Sequence, residues 1–234
     1  MKKLLSILLA VAMLAGPGIT ALAEVAVESG EPALRSDVVV LFTSDVHGGV
    51  DQNWTYTGVD VIRNKLAADG NHVILVDDGD SIQGEPLGTM TAGAACIDLM
   101  NSLGYEIAIP GNHEFDYGMD RFLELAEMAD FPYISCNFNY KGDLIFDPYI
   151  IKEFDGVKIA FIGVTTPYTL RSSTTKYFMD ENDEFVYGFF HGDDDGATLF
   201  DKVQEAADAA RAEGATYVVA LCHLGNEEEC RPYT

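Results

Sequence analysis

Four apolar stretches of this 234-residue chain each end in side chains able to hold a metal ion or move a proton. Thr43 is followed by Ser44-Asp45-Val46-His47, Val76 by Asp77-Asp78-Gly79-Asp80, Ile109 by Pro110-Gly111-Asn112-His113-Glu114, and Leu221 by Cys222-His223-Leu224-Gly225. Carboxylate, imidazole and amide donors together suit zinc, manganese, iron or cobalt better than calcium. The set is also large for one ion. Two divalent ions about 3.5 to 4 Å apart need a carboxylate between them and can then clamp the oxygens of an in-line displacement at phosphorus. Asp80 is the natural bridge. The one-residue gap between Asp45 and His47 would let both point the same way from an extended turn. The three-residue step from His113 to Asp116 puts that pair on one side of a turn, where the two can meet.

Such residues must be delivered by strands that end at one edge, and the hydrophobic pattern supplies them. Residues 38–43 form an apolar β-branched run, followed from Thr57 by a helical face of Val59, Ile62 and Leu66. A second strand at 73–76 leads into a helix carrying Met90, Ala94, Ile97 and Met100. A third at 106–109 precedes a helix with Met119, Phe122, Leu123 and Ala126, and residues 132–136 read as a fourth strand. Residues 149–154 and 157–163 flank Asp155-Gly156, the signature of a two-residue hairpin with positive φ at both positions. The acidic stretch 171–196 reads as loop. After it, Leu199, Phe200, Val203, Ala206, Ala207 and Ala210 mark an amphipathic helix that leads to a last strand at 217–221. Alternating strands and helices plus a hairpin imply an α/β fold with a largely parallel, covered sheet, whose strand C-termini share the ligand-binding edge.

The remaining composition narrows the setting. Against 14 basic side chains stand 38 acidic ones, a formal charge of −24. That field repels nucleic acid polymers and anionic lipid, while a bound cation can still reverse the sign locally for a small phosphorylated molecule. Lys2 and Lys3 precede an apolar run from Leu4 to Ala15, and Ala21-Leu22-Ala23 offers a cleavage point, so residues 1–23 read as a secretory signal peptide. The apolar run is too short for a stable membrane anchor. Residues 24–37 read as a flexible linker, and 38–234 as one domain. Cys96, Cys136, Cys222 and Cys230 contain no C-x-x-C and read as buried inert thiols, with Cys222 on the opposite strand face from His223. His72 reads as a loop residue and 191–195 as a solvated acidic loop with calcium binding as the alternative. Asp77 and Asp78 compete with Asp80 as ligands, and Asp77 is also a candidate to orient a ligating histidine from behind. Trp54 and Tyr56 either cover the site's mouth or pack inside.

Asp45-x-His47, Gly79-Asp80, Gly111-Asn112-His113-Glu114-Phe115-Asp116 and His223-Leu224-Gly225 together resemble the calcineurin-like metallophosphoesterases, most closely their secreted 5′-nucleotidase and UDP-sugar hydrolase branch. The resemblance runs from about Val38 to Gly225. It implies a four-layer α/β/β/α sandwich with mixed, largely parallel sheets. It further implies that Asp45 and His47 bind a first divalent ion, Asp80 bridges, and Asn112 and His223 bind a second. A metal-bridged hydroxide would attack phosphorus. His113, oriented by Asp116, would sit over the phosphoryl group or protonate the leaving oxygen. The implied substrates are small nucleotides or other phosphoesters, processed outside the cytoplasm.

The same resemblance predicts two features that do not occur up to Thr234: a Gly-His-x-His motif completing both metal shells, and a C-terminal substrate-binding domain. The domain is therefore expected to be C-terminally incomplete, the front part of a longer protein. Two readings remain, a dinuclear metal phosphohydrolase of the 5′-nucleotidase type and a non-catalytic metal-binding fragment or pseudo-enzyme. A 2′,3′-cyclic-nucleotide phosphodiesterase or a sugar-nucleotide pyrophosphatase would use the same metals.

Overall fold

A computed structural model describes residues 34–51, 56–191 and 196–225. Three short sheets carry the strands. In the first, β1 (Val38–Thr43), β2 (His72–Asp77) and β3 (Ile107–Ala108) run parallel in that order, with Thr43 level with Asp77 and Asp77 level with Ala108. In the second, β7 (Val157–Thr165) lies between antiparallel β6 (Tyr149–Phe154) and parallel β9 (Tyr217–His223), with Thr165 level with His223. A small antiparallel sheet joins β5 (Asp143–Leu144), β4 (Phe138–Tyr140) and β8 (Tyr187–Phe189).

Strand alternation builds the layers. Ile74 and Val76 of β2 share a buried cluster with Val157, Ile159 and Phe161 of β7 and Leu221 of β9, so the two larger sheets pack face to face. Leu75 points the other way, into a core with Ile97, Met100, Phe122 and Leu125 from helices α3 (Ala94–Leu103) and α4 (Met119–Met128), which also takes Val59 of α1 (Tyr56–Ala68). On the far side, Ile162 and Val164 of β7 meet Leu199, Ala206 and Ala207 of α6 (Ala197–Ala212). The order is helix, sheet, sheet, helix, the α/β/β/α sandwich expected.

Several expectations change. The helix read through Met90 and Met100 is two helices, α2 (Pro86–Thr91) and α3, because Ala92 (φ 45°) and Gly93 (φ 85°) turn left-handed between them. A Cβ at Gly93 would meet Leu125 Cδ1 at 2.7 Å, so the break is also where α4 packs closest. Met90 consequently faces solvent, 85% exposed. Residues 132–136 form no strand; one parallel bridge joins Tyr133 to Ala108, and β3 is itself only two residues long. The stretch read as loop holds a single-turn helix α5 (Thr169–Ser172), a 3₁₀ turn Thr175–Phe178 and β8. The hairpin stands as read, with φ of 51° at Asp155 and 83° at Gly156. His72 is the first residue of β2 rather than loop, and its Nε2 lies 3.1 Å from Asp155 Oδ2. Tyr56 packs inside at 6% exposure, while Trp54 lies outside the described residues, as do the signal-peptide reading, most of the linker and residues 192–195. Cys96 and Cys136 are buried free thiols; Cys222 is exposed, because β9 turns that face outward, and Cys230 lies outside the described residues.

One aromatic cluster underlies the ligand-bearing loop after β3. Phe115 is fully buried, with ring centroids 5.0 Å from Phe122, 5.2 Å from Phe138 and Phe178, and 5.9 Å from Phe189. It closes the 3₁₀ turn His113–Phe115 and so anchors that loop to helix α4 and the small sheet. Phe115→Ala is expected to cost about 3 to 5 kcal/mol in urea unfolding, whereas Phe185→Ala, at a site 55% exposed, should change stability by no more than about 0.5 kcal/mol. Equal losses in the two variants would contradict this packing account.

Candidate metal centre

Because β1, β2 and β3 are parallel and end level, the loops after Thr43, Asp77 and Ala108 leave the same edge. The loops after β1 and β2 then run side by side, bonded backbone to backbone. Asp78 N–H donates to Thr43 O at 2.7 Å, Asp45 N–H to Gly79 O at 3.0 Å, His47 N–H to Asp80 O at 2.9 Å and Gly48 N–H to Ser81 O at 3.0 Å. The turn is not extended. Asp45 (φ 55°), His47 (φ 50°) and Asp80 (φ 61°) all adopt the left-handed region that non-glycine residues avoid. Such conformations cost of order 1 kcal/mol or more each and persist where the surroundings over-determine them. Space is equally constrained: a Cβ at Gly79 would lie 2.5 Å from Gly111 N, and one at Gly111 would lie 2.2 Å from Asp80 Oδ1.

All seven residues singled out from the sequence lie at this edge. Asp80 is at the centre, 2% exposed. Its Oδ2 lies 3.2 Å from His223 Nε2 and 3.8 Å from His47 Nε2, and its Oδ1 accepts the backbone N–H of His113 at 2.8 Å. His223 Nε2 is also 3.2 Å from Asn112 Oδ1, so the second sheet's β9 meets the first sheet's loops here. Asp45, Asp80 and His223 bring ligand atoms within 4.8 Å of one another, and so do His47, Asp80 and His113. Asp45 and His47 thus fall in different groups, and Asp80 is common to both. The Ser44 hydroxyl donates to Asp45 Oδ2.

The three imidazoles are held differently. His47 Nδ1–H donates to Gln83 O at 3.1 Å and His223 Nδ1–H to Asp78 O at 2.8 Å, which directs both Nε2 atoms toward Asp80. His113 Nδ1–H donates instead to a carboxylate, Asp116 Oδ2, at 2.6 Å, and Asp116 Oδ1 accepts from Ser173 Oγ at 3.2 Å. A backbone carbonyl or a carboxylate behind an imidazole is the arrangement that orients a metal-ligating histidine.

Sequence reasoning assigned no role to Glu114, yet it organises the edge. Fully buried beneath Asp80, its Oε2 accepts Asp80 N–H at 2.7 Å and Gly111 N–H at 2.6 Å, and its Oε1 accepts Ser81 N–H at 2.9 Å. One carboxylate therefore ties the loops after β2 and β3 together. Asp77 does similar work and orients no histidine: its Oδ2 accepts from the Thr43 and Ser81 hydroxyls, both at 2.6 Å, and its Oδ1 from Gly79 N–H at 3.0 Å. It is a brace between β1 and the β2 loop.

Electrostatics follow from burial. Desolvation alone would lower the His223 pKa, but its hydrogen bond to Asp80 and the charges of Asp80 and Glu114 outweigh that and lift it to about 9. Asp80 is held below the usual carboxylate range, burial being overcome by His223 and His113. Glu114 is pushed up by burial and by Asp80's charge. Asp78 is raised to about 6, chiefly by burial, and its Oδ1 is buried without a hydrogen-bond partner. The buried carboxylate of Asp80, the exposed one of Asp45, Nε2 atoms turned inward and the Asn112 amide oxygen form a donor set that fits divalent cations.

The chain belongs to the calcineurin-like phosphoesterase family, which matches residues 38–233. It is 34% identical over 154 residues to Protein UshA of Yersinia enterocolitica, covering 62% of this chain and 28% of that protein. It is 31% identical over 215 residues to a snake venom 5′-nucleotidase of Gloydius brevicauda, covering 83% and 34%. Among solved structures, the NAD nucleotidase of Haemophilus influenzae matches with TM-score 0.66 and 26% identity over 82% of this chain and 35% of that one. The chain spans about a third of the length of these curated relatives.

Two outcomes test the bracing residues. Glu114→Gln keeps the size but turns an N–H₂ toward a backbone N–H, and should cost about 1 to 3 kcal/mol in urea unfolding; an unchanged midpoint would remove Glu114 from this role. For Asp77, burial lifts the folded carboxyl to about 7 from its ordinary 3.8, despite its three donors. The folded state then holds a proton that the unfolded chain has released, so this group's contribution is present below pH 3.8 and is lost as pH rises toward 7. Relative to wild type, Asp77→Asn should gain stability between pH 4 and pH 7; a constant difference across that window would contradict the assignment.

Proposed function

We propose that this chain is the metal-binding, catalytic part of an exported two-metal phosphohydrolase that releases phosphate from nucleotide 5′-phosphoesters. The observation that carries the reading is the Asp80 carboxylate, common to two groups of potential ligands at one sheet edge. Its relatives named 5′-nucleotidase support the substrate class. In this reading Asp45, His47, Asp80, Asn112 and His223 hold two divalent ions, zinc, manganese, iron or cobalt, with Asp80 shared. When bound, the ions supply the Lewis-acid charge that neutralises the phosphoryl oxygens in the transition state.

The chain's own residues do the rest. His47 and His223 spend Nδ1 on backbone carbonyls and offer Nε2. His113 alone has a carboxylate behind it and keeps Nε2 free, which suits it to hold a proton for the leaving oxygen while Asp116 fixes the ring. Asn112 sets its amide oxygen beside His223 Nε2. The left-handed turns at Asp45, His47 and Asp80 place these groups before any substrate arrives, so little reorganisation accompanies the reaction. Export is supported by the basic start, apolar run and small residues of 1–23. A further substrate-binding domain, expected from the relatives' length, would complete recognition of the nucleoside.

The test uses the longest natural chain that contains these residues. Chelation should abolish phosphate release from a nucleoside monophosphate, and added manganese or zinc should restore it. Asp80→Asn should lower kcat/KM by at least about 10²–10³ with metal present, the scale of lost transition-state charge stabilisation. Wild-type turnover in the Asp80→Asn variant would refute the shared-carboxylate assignment. Metal binding without any hydrolysis across nucleoside monophosphates, cyclic nucleotides and sugar nucleotides would favour the non-catalytic reading.

A further inference from the structure

The loop after β7 reaches the same edge from the second sheet. Asn137, fully buried, holds the end of β7 on both sides: its Oδ1 accepts Thr165 N–H at 3.0 Å and its amide nitrogen donates to Thr165 O at 2.7 Å. The chain then makes a compact turn. Thr169 Oγ1, fully buried, donates to Thr166 O at 2.6 Å, and Ser173 N–H donates to Thr169 O at 3.0 Å at the end of α5. Ser173 is thus placed by a braced strand end and a closed helical turn. Its backbone N–H closes that turn and leaves the hydroxyl to bond elsewhere. The hydroxyl donates to Asp116 Oδ1 at 3.2 Å, 57 positions away in sequence.

We propose that Ser173 is a positioning residue for the His113–Asp116 pair, the outer member of a Ser173–Asp116–His113 relay. The inference rests on the reading of His113 as the group that serves the leaving oxygen. A carboxylate bonded through Oδ2 alone can swing about its last side-chain torsion, which is broad and soft. With Oδ2 on His113 Nδ1–H and Oδ1 on Ser173 Oγ–H, both oxygens are spoken for and the carboxylate plane is set. The imidazole plane follows, and Nδ1–H remains the tautomer that leaves Nε2 for the site. His113 and Asp116 are only partly buried, at 36% and 23% side-chain exposure, so their neighbours enclose them too loosely to impose one rotamer by packing. A second hydrogen bond is what supplies the missing constraint. The serine's side-chain hydrogen bond goes to Asp116, and it acts through that carboxylate.

The experiment uses Ser173→Ala and Ser173→Thr in the natural full chain, loaded with manganese. Ser173→Ala should lower kcat about tenfold, the scale of one hydrogen bond to a charged acceptor, with KM, metal affinity and unfolding midpoint unchanged. Ser173→Thr, which keeps the hydroxyl, should restore most of the loss. In the Asp116→Ala background, Ser173→Ala should have no further effect, since a relay member has nothing left to position. Metal-free protein provides a readout without turnover: ¹⁵N spectra of the His113 ring should show protonated Nδ1 in wild type and Ser173→Thr, and a mixture of tautomers in Ser173→Ala. Full kcat in Ser173→Ala, or an additive loss on Asp116→Ala, would overturn the relay. Absence of hydrolysis by the wild-type chain would instead overturn the phosphohydrolase reading, and the ring spectra would then decide the relay alone.

Discussion

Two carboxylates buried one above the other, Asp80 and Glu114, set the terms for everything at this edge. Like charges that close in a low-dielectric interior repel strongly unless each is paired or hydrogen-bonded. The chain meets the requirement with backbone amides. Glu114 accepts three N–H groups from two loops, and Asp80 accepts one from His113 while facing His223. Those bonds need amides presented in close succession, and here backbone bent into the left-handed region at Gly79 and Asp80 presents them. The left-handed turn at Asp80 and the bare Cα atoms of Gly79 and Gly111 are therefore consequences of burying the acids.

Strain of this kind survives only if something rigid opposes it. Phe115 follows Glu114 directly and is locked by aromatic rings from α4, the small sheet and the turn at Thr175–Phe178. Asp77 bonds β1 to the loop after β2 from below. A single short segment, Asn112 to Phe115, thus carries an amide oxygen beside His223, an imidazole, the bracing acid and the hydrophobic anchor. Function and stability share neighbouring residues there, so substitutions in that segment will not separate cleanly into the two.

How much of this the sequence reveals depends on the length scale of the signal. Strands β1, β2 and β9 and the β6–β7 hairpin are visible because several apolar residues repeat at a fixed period, or because Asp155-Gly156 has one favoured turn. Strands β4, β5 and β8 are two or three residues long, too short for a period to show. The break between α2 and α3 depends on Gly93 meeting Leu125, a contact between segments far apart in the chain. The candidate ligands were legible from residue type at strand ends, without any geometry. The left-handed backbone at Asp45, His47 and Asp80 was not, because no side-chain pattern announces it. Glu114 and Ser173 were missed for the same reason: an acid that accepts backbone amides and a serine that braces a distant carboxylate leave no periodic trace.

The charge balance at this edge would favour a bound cation. Among the described ion pairs, Asp80 is matched only by His47 and His223, with no lysine or arginine beside it. The chain as a whole has 38 acids to 14 bases, so little positive charge is available from elsewhere. Without a metal, the proton on His223, held up to about 9 by Asp80 and Glu114 against the pull of burial, is the compensating charge. A divalent ion entering beside Asp80 would replace that proton at the same Nε2 and bring a larger charge to the same carboxylate. Proton and metal would then compete for one position, and either would tie β9 to the loops of the opposite sheet, because His223 comes from one and Asp80 from the other. Binding energy released there is shared with the fold, since the unfolded chain cannot assemble those ligands. The edge where the two sheets meet is therefore both a place where buried acids crowd together and the place where a bound cation would stabilise the whole sandwich.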